Sequence, residues 1–81
     1  YLNTHDIGRF LQTYGYPVET PRLLEFSRDA MAFSQMYCAS PTCSPSRGAL
    51  LTGQYPHNNG LIGLSHRGFC INGSHHLASY L

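Results

Sequence analysis

The sequence predicts an α/β fold, and three observations carry the prediction. Residues 1–6 read as the end of a buried strand, Thr20-Pro21 opens a helix, and Phe33 to Cys38 alternates aromatic or apolar side chains with polar ones, like a short strand leading to a second helix. Strand and helix thus take turns along the chain.

The first strand runs into a polar turn through Asp6 and Gly8, then a loop rich in Tyr, Gly and Pro at Tyr14-Gly15-Tyr16-Pro17. Thr20 is a good N-cap and Pro21 suits the first helical position. Leu23, Leu24, Ser27, Ala30 and Met31 then recur at helical spacing, with Arg22, Glu25, Arg28 and Asp29 on the other side. The second strand ends at the Ala39-Ser40-Pro41-Thr42 loop, which delivers Cys43. Ser44-Pro45 repeats the cap-then-proline start, Gly48 to Leu51 supplies a helical turn or two, and Gly53 is placed to end it in the left-handed conformation. On this reading Cys43 sits just outside a helix N-terminus. Gln54 to Gly73 is dominated by turn formers, interrupted by Leu61-Ile62 and Phe69-Cys70-Ile71, and reads as loop with one short strand, and Ser74 caps a final helix carrying Leu77 and Leu81.

Composition bounds the function. The chain has 81 residues and a net charge of +1, too short to bury a comfortable core without disulfides, metal or partners. It begins without methionine on the tail of a strand and stops inside a helix-like pattern. Both ends predict a fragment, and localisation stays open. The basic residues Arg9, Arg22, Arg28, Arg47 and Arg67 are scattered, so the electrostatic footprint of a nucleic-acid binder is absent, and nothing approaches a membrane-spanning apolar run. Cys38, Cys43 and Cys70 cannot all pair internally, and their spacing fits neither a C-x-x-C redox motif nor a zinc ribbon.

The chemistry gathers at Cys43-Ser44-Pro45-Ser46-Arg47. A helix N-terminus offers unpaired N–H groups and positive partial charge, a ready site for a tetrahedral oxyanion, and Arg47 in the first turn adds a permanently charged planar donor. A thiolate phosphatase needs five residues between Cys and Arg, whereas only three intervene here. Cys43, Pro45, Ser46 and Arg47, followed by Leu51, Thr52 and Gly53, instead resemble the sulfatase signature. The resemblance extends along nearly the whole chain, through Thr20-Pro21, Pro41-Thr42, Pro56-His57-Asn58-Asn59-Gly60 and His66-Arg67-Gly68-Phe69, to the N-terminal part of bacterial sulfatases similar to heparan N-sulfatase.

That resemblance implies a partial catalytic domain over residues 1–81 with the alkaline-phosphatase-like α/β fold. It implies that a maturation enzyme oxidises Cys43 to formylglycine, whose hydrated form is a geminal diol. One hydroxyl attacks the sulfur of a sulfate ester or sulfamate on a small molecule or glycan, and the other expels sulfate by collapsing to the aldehyde. Arg47 would hold the diol and the oxyanion. The resemblance also implies a divalent metal, ordinarily Ca²⁺, bound by two adjacent aspartates at the first strand's end and by the modified Cys43. Those aspartates match His5-Asp6, so the second is kept and the first is histidine, which suits Zn²⁺ or Mn²⁺ better than Ca²⁺. Either His5 turns away from the metal or the metal differs. The remaining ligands and the active-site lysine and histidine of the family fall outside these residues, so the fragment alone is expected to be inactive.

Alternatives stay open at this point. Related formylglycine enzymes cleave phosphonates or phosphodiesters, and a non-catalytic truncated gene product would keep the signature by descent. Cys38 and Cys70 read as core or loop thiols. His57, His66 and Arg67 fit ordinary loop polarity as well as a substrate cleft, Arg9 could approach the substrate, and His75-His76 reads as a solvent-facing pair. Tyr14, Tyr16, Tyr37 and Tyr55 fit half-buried packing as well as sugar stacking, and Asn72-Gly73-Ser74, which matches the N-glycosylation pattern, reads as a turn.

Overall fold

A computed structural model describes residues 1–73 and 75–81, which form two compact units, Tyr1–Met36 and Tyr37–Leu81. The first unit is built on a three-residue 3₁₀ turn, Gln12–Tyr14, and helix α1, Pro21–Ser27. Thr20 stands at the N-cap as its sequence suggests, yet its hydroxyl does not cap α1. It accepts the Gln12 N–H at 3.2 Å, while the Gln12 side-chain oxygen accepts the Thr20 N–H at 3.3 Å. This reciprocal pair ties the turn to the helix start. Thr13 reaches Ser27 through its hydroxyl at 3.4 Å, and Phe10 meets Tyr16 edge to face at 5.1 Å.

Helix α1 is shorter than the periodicity of Leu23 to Met31 predicts. Beyond Ser27 the amides of Arg28, Asp29 and Ala30 bond three residues back, and Met31 is exposed. A short helix is marginal in water unless packing holds its apolar face, and nothing in this unit covers the Ala30-Met31 end.

The second unit centres on α2, Cys43–Thr52, and α3, Pro56–Asn59, followed by 3₁₀ turns at Ser65–Arg67 and Leu77–Ser79. Gly53 ends α2 as expected, at φ 66° with its N–H on the Ala49 carbonyl. The N-terminus differs from the sequence reading. Helix α2 starts at Cys43 with Thr42 as the N-cap, so Cys43 is inside the first turn and Pro45 is its third residue. Proline is tolerated there because first-turn amides have no intrahelical acceptor. Pro45, Gly48 and Thr52 form the inward stripe of α2, and Leu61, 5% exposed, packs against it.

A Cβ at Gly48 would stand 2.7 Å from Leu61 Cδ2 and 3.5 Å from Leu61 Cβ. A methyl there gains about 1 kcal/mol of helix propensity but displaces a buried leucine at a cost of about 1–3 kcal/mol. Gly48→Ala is therefore expected to lower the urea midpoint of the protein, and a raised midpoint would refute this packing.

No strand is present among the described residues, so the sheet, the strands predicted at 1–6 and 33–38 and the short one expected within 54–73 are not formed here. A strand is stabilised by the amides and carbonyls of a neighbour, and no described segment offers these three a ladder. Phe33, Met36, Tyr37 and Phe69 are exposed. The predicted final helix is reduced to the Leu77–Ser79 turn, where the Ser79 hydroxyl accepts the His76 N–H at 3.2 Å and donates to the His76 carbonyl at 2.6 Å. Its predicted cap, Ser74, lies outside the described residues, as does the last position of the Asn72-Gly73-Ser74 triplet.

Candidate active site

The loop before α2 is wired by its own short polar side chains. Cys38 Sγ lies 3.0 Å from the Ser40 carbonyl, Ser40 and Thr42 hydroxyls meet at 3.3 Å, and the Thr42 N–H donates to Ser40 Oγ at 3.4 Å. Thr42 is extended, at φ −105° and ψ 150°, and its carbonyl accepts the Ser46 N–H at 3.2 Å, which closes the first turn. Cys43 is thereby presented at the opening of α2, exposed and as a free thiol.

Among the first residues of α2 the amides of Cys43 and Ser44 have no intrahelical carbonyl to bond, Pro45 has no N–H, and the Ser46 N–H is spoken for. Two amides at the positive end of the helix dipole are therefore left without an intrahelical acceptor. Arg47 is exposed and four residues on from Cys43, so the two side chains share one face of α2, and Cα–Cβ bonds on a helix tilt toward this same end.

Ser44 has a second role that sequence reasoning missed. Its hydroxyl accepts the Ser65 N–H at 3.3 Å, across 21 residues. Nothing in the local pattern signals such a contact. Asn59 was missed for a similar reason: Asn58-Asn59-Gly60 reads as a turn, yet the Asn59 side chain is wholly buried.

In the first unit, His5 Nδ1 lies 2.9 Å from Asp6 Oδ2, with the side chains 59% and 85% exposed. Asp6 is held at φ 55°, the one positive-φ residue besides glycine among those described. Aspartate tolerates this region better than most residues, but it remains a sparsely populated conformation that often marks a functional position. Among the described residues no group of three His, Cys, Asp or Glu side chains is placed to hold a metal ion. Two donors fall well short of the six to eight oxygens that Ca²⁺ takes.

Cys38 and Cys70 are exposed loop thiols rather than core residues, and no described helix is long and apolar enough to cross a membrane. His57, His66, Arg67, Tyr14, Tyr37 and Tyr55 are exposed, and Tyr16 is half-buried against Phe10.

The family model described as Sulfatase matches residues 4–79. The chain belongs to the sulfatase family. N-acetylgalactosamine-6-sulfatase of Rattus norvegicus is 51% identical over 51 residues, 62% of this chain and 10% of the relative. The ulvan-active sulfatase of Formosa agariphila is 34% identical over 67 residues, 82% of this chain and 11% of that one. The endo-4-O-sulfatase of Bacteroides thetaiotaomicron is 43% identical over 47 residues, 58% and 9% of the two chains. This sulfatase chain thus spans about a tenth of the length of the curated relatives it matches. No solved structure gives a significant match.

Proposed function

We propose that these residues are the N-terminal part of the catalytic domain of a sulfuric ester or sulfamate hydrolase in which Cys43 becomes formylglycine. The observation that carries the reading is the exposed Cys43 in the first turn of α2 with Arg47 one turn further on the same face. Formylglycine at this position supplies a hydrated aldehyde able to take up and then release the sulfuryl group.

The chain's own residues bind and orient the anion. The Cys43 and Ser44 amides donate to sulfate oxygens, and the α2 dipole favours the negative charge. Arg47 adds a charge-assisted donor whose planar fork matches an oxyanion. One such donor is worth about 10²–10³ in rate where charge develops. Pro45 and Ser46 serve recognition by the maturation enzyme and the closing of the first turn more than turnover.

His5 and Asp6 alone do not make a site for a metal ion. We propose Asp6 as this chain's carboxylate ligand, with residues from elsewhere in a longer sulfatase completing the set. The His5 contact to Asp6 Oδ2 then orients that carboxylate. Ca²⁺, Mn²⁺ and Zn²⁺ are distinguished by metal analysis of the purified protein. The same longer chain would give the segments at 1–6 and 33–38 their sheet partners and cover exposed Leu2, Phe33 and Met36. The relatives' names point to sulfated sugars as the substrate class.

The test is the mass of the Cys43 peptide from the gene product made in its own host. An aldehyde, lighter than the thiol form and reactive toward hydrazides, is expected. An unmodified thiol in that protein overturns the reading.

A further inference from the structure

Charge is divided unevenly along this chain. Asp6, Glu19, Glu25 and Asp29, all the carboxylate side chains, precede residue 37. The unit Tyr37–Leu81 therefore holds Arg47, Arg67, His57, His66, His75 and His76 and no acidic side chain of its own. Two of these residues, His66 and Arg67, are tied to the start of α2. The Ser65 amide hydrogen-bonds the hydroxyl of Ser44, the neighbour of Cys43, and Ser65 opens the 3₁₀ turn Ser65–Arg67. Gly68, at φ 89°, closes that turn with its N–H on the Ser65 carbonyl. Successive Cα atoms are about 3.8 Å apart and a 3₁₀ turn advances about 2 Å per residue, so His66 and Arg67 cannot stray far from the anchored Ser65. Both side chains are exposed, and neither makes a hydrogen bond or ion pair among the described residues.

We propose that His66 and Arg67 form a subsite for a second oxyanion of the substrate, a further sulfate or a uronate carboxylate, and that Ser44 is the positioning residue that holds this subsite beside Cys43. The inference rests on Cys43 as the reaction centre. The scissile sulfate is already provided for by the Cys43 and Ser44 amides and by Arg47. The Ser65–Arg67 turn is fastened to the flank of that site, where a neighbouring group on the same sugar or the next one arrives. A guanidinium takes either oxyanion through two parallel N–H donors, whereas an ammonium offers a point charge.

The test is calorimetric binding to the gene product on a Cys43→Ala background, which prevents turnover. The probes are a neutral monosulfated disaccharide, its disulfated counterpart and a monosulfated disaccharide with a uronate. Binding at least tenfold tighter for one or both of the doubly anionic probes is expected, and the stronger of the two names the second group. Arg67→Ala should remove most of that preference and Arg67→Lys should restore part of it. Ser44→Ala should reduce it several-fold, with Ser44→Thr restoring it. Equal binding of all three probes, or a preference that survives Arg67→Ala, overturns the subsite. The aldehyde content of the unmutated protein separates the two claims. A missing aldehyde overturns the reaction centre and the subsite with it, whereas an aldehyde present with equal probe binding overturns the subsite alone.

Discussion

Replacing Cys43 by alanine is expected to abolish hydrolysis of an aryl sulfate by the gene product, with kcat/KM falling at least a thousandfold, or about 4 kcal/mol of transition-state stabilisation. The size follows from what is removed. Alanine cannot be oxidised to an aldehyde, so the nucleophile is lost outright and only anion binding remains. The structure also makes the experiment clean. Cys43 is exposed, its thiol makes no hydrogen bond among the described residues, and alanine is the best helix former for the first turn it occupies. Thermal stability should therefore stay within about 0.5 kcal/mol of the parent. Cys38→Ala and Cys70→Ala, in exposed loops, serve as thiol controls and should each keep the rate within about twofold, as expected for surface changes. A Cys43→Ala protein that retains a tenth of the parental rate sinks the proposed chemistry.

What could be read from the sequence follows the range of the interactions involved. Thr20-Pro21 and Gly53 announce helix ends because a cap needs only its own few residues, and both ends are found where the sequence puts them. Ser44-Pro45 misleads by two residues for the same physical reason that makes proline useful: any of the first few amides of a helix can be dispensed with. A cap-then-proline pair therefore narrows the start of α2 without fixing its register. Thr42 wins the N-cap because the Ser40-Thr42 hydroxyl network already holds it extended.

The strands fail for the opposite reason. Alternation at Phe33 to Cys38 describes a segment able to join a sheet, but a ladder is a property of two segments. The described residues supply no second one. The site divides in the same way. Cys43 and Arg47 are legible because a spacing of four is enough to place them on one helical face. The bond from the Ser65 N–H to Ser44 spans 21 residues, and no periodicity encodes it. That residues 37–81 hold no acidic side chain is visible in the letters, but it gains meaning only once the unit boundary at residue 37 is known.

The same contrast produces the largest stability effect expected in the second unit. Asn59 is wholly buried, yet every polar atom of its side chain is satisfied. Nδ2 donates to Thr52 Oγ1 at 3.1 Å and to the Gln54 carbonyl at 3.3 Å, and Oδ1 accepts the Leu61 N–H at 2.9 Å. Its own carbonyl accepts the Asn72 N–H at 2.6 Å. Thr52 passes the network on to α2 by donating to the Gly48 carbonyl at 2.7 Å. One amide thus fastens the end of α2, the end of α3 and the start of the segment that leads to Ser65. Asn59→Ala leaves the buried Leu61 N–H without an acceptor, which costs about 1–3 kcal/mol, and the vacated volume adds to it. A total of about 2–4 kcal/mol is expected. Asn58→Ala, at an exposed neighbour, should cost no more than about 0.5 kcal/mol. Urea midpoints give the totals, and amide exchange at Leu61 gives the local part, which should accelerate about thirtyfold for each 2 kcal/mol lost. If Asn59→Ala matches Asn58→Ala in both measurements, the buried network is not what holds this unit together. Should Leu61 exchange quicken while the urea midpoint holds, Asn59 anchors only the segment toward Ser65, and disulfated-probe binding should weaken without global unfolding.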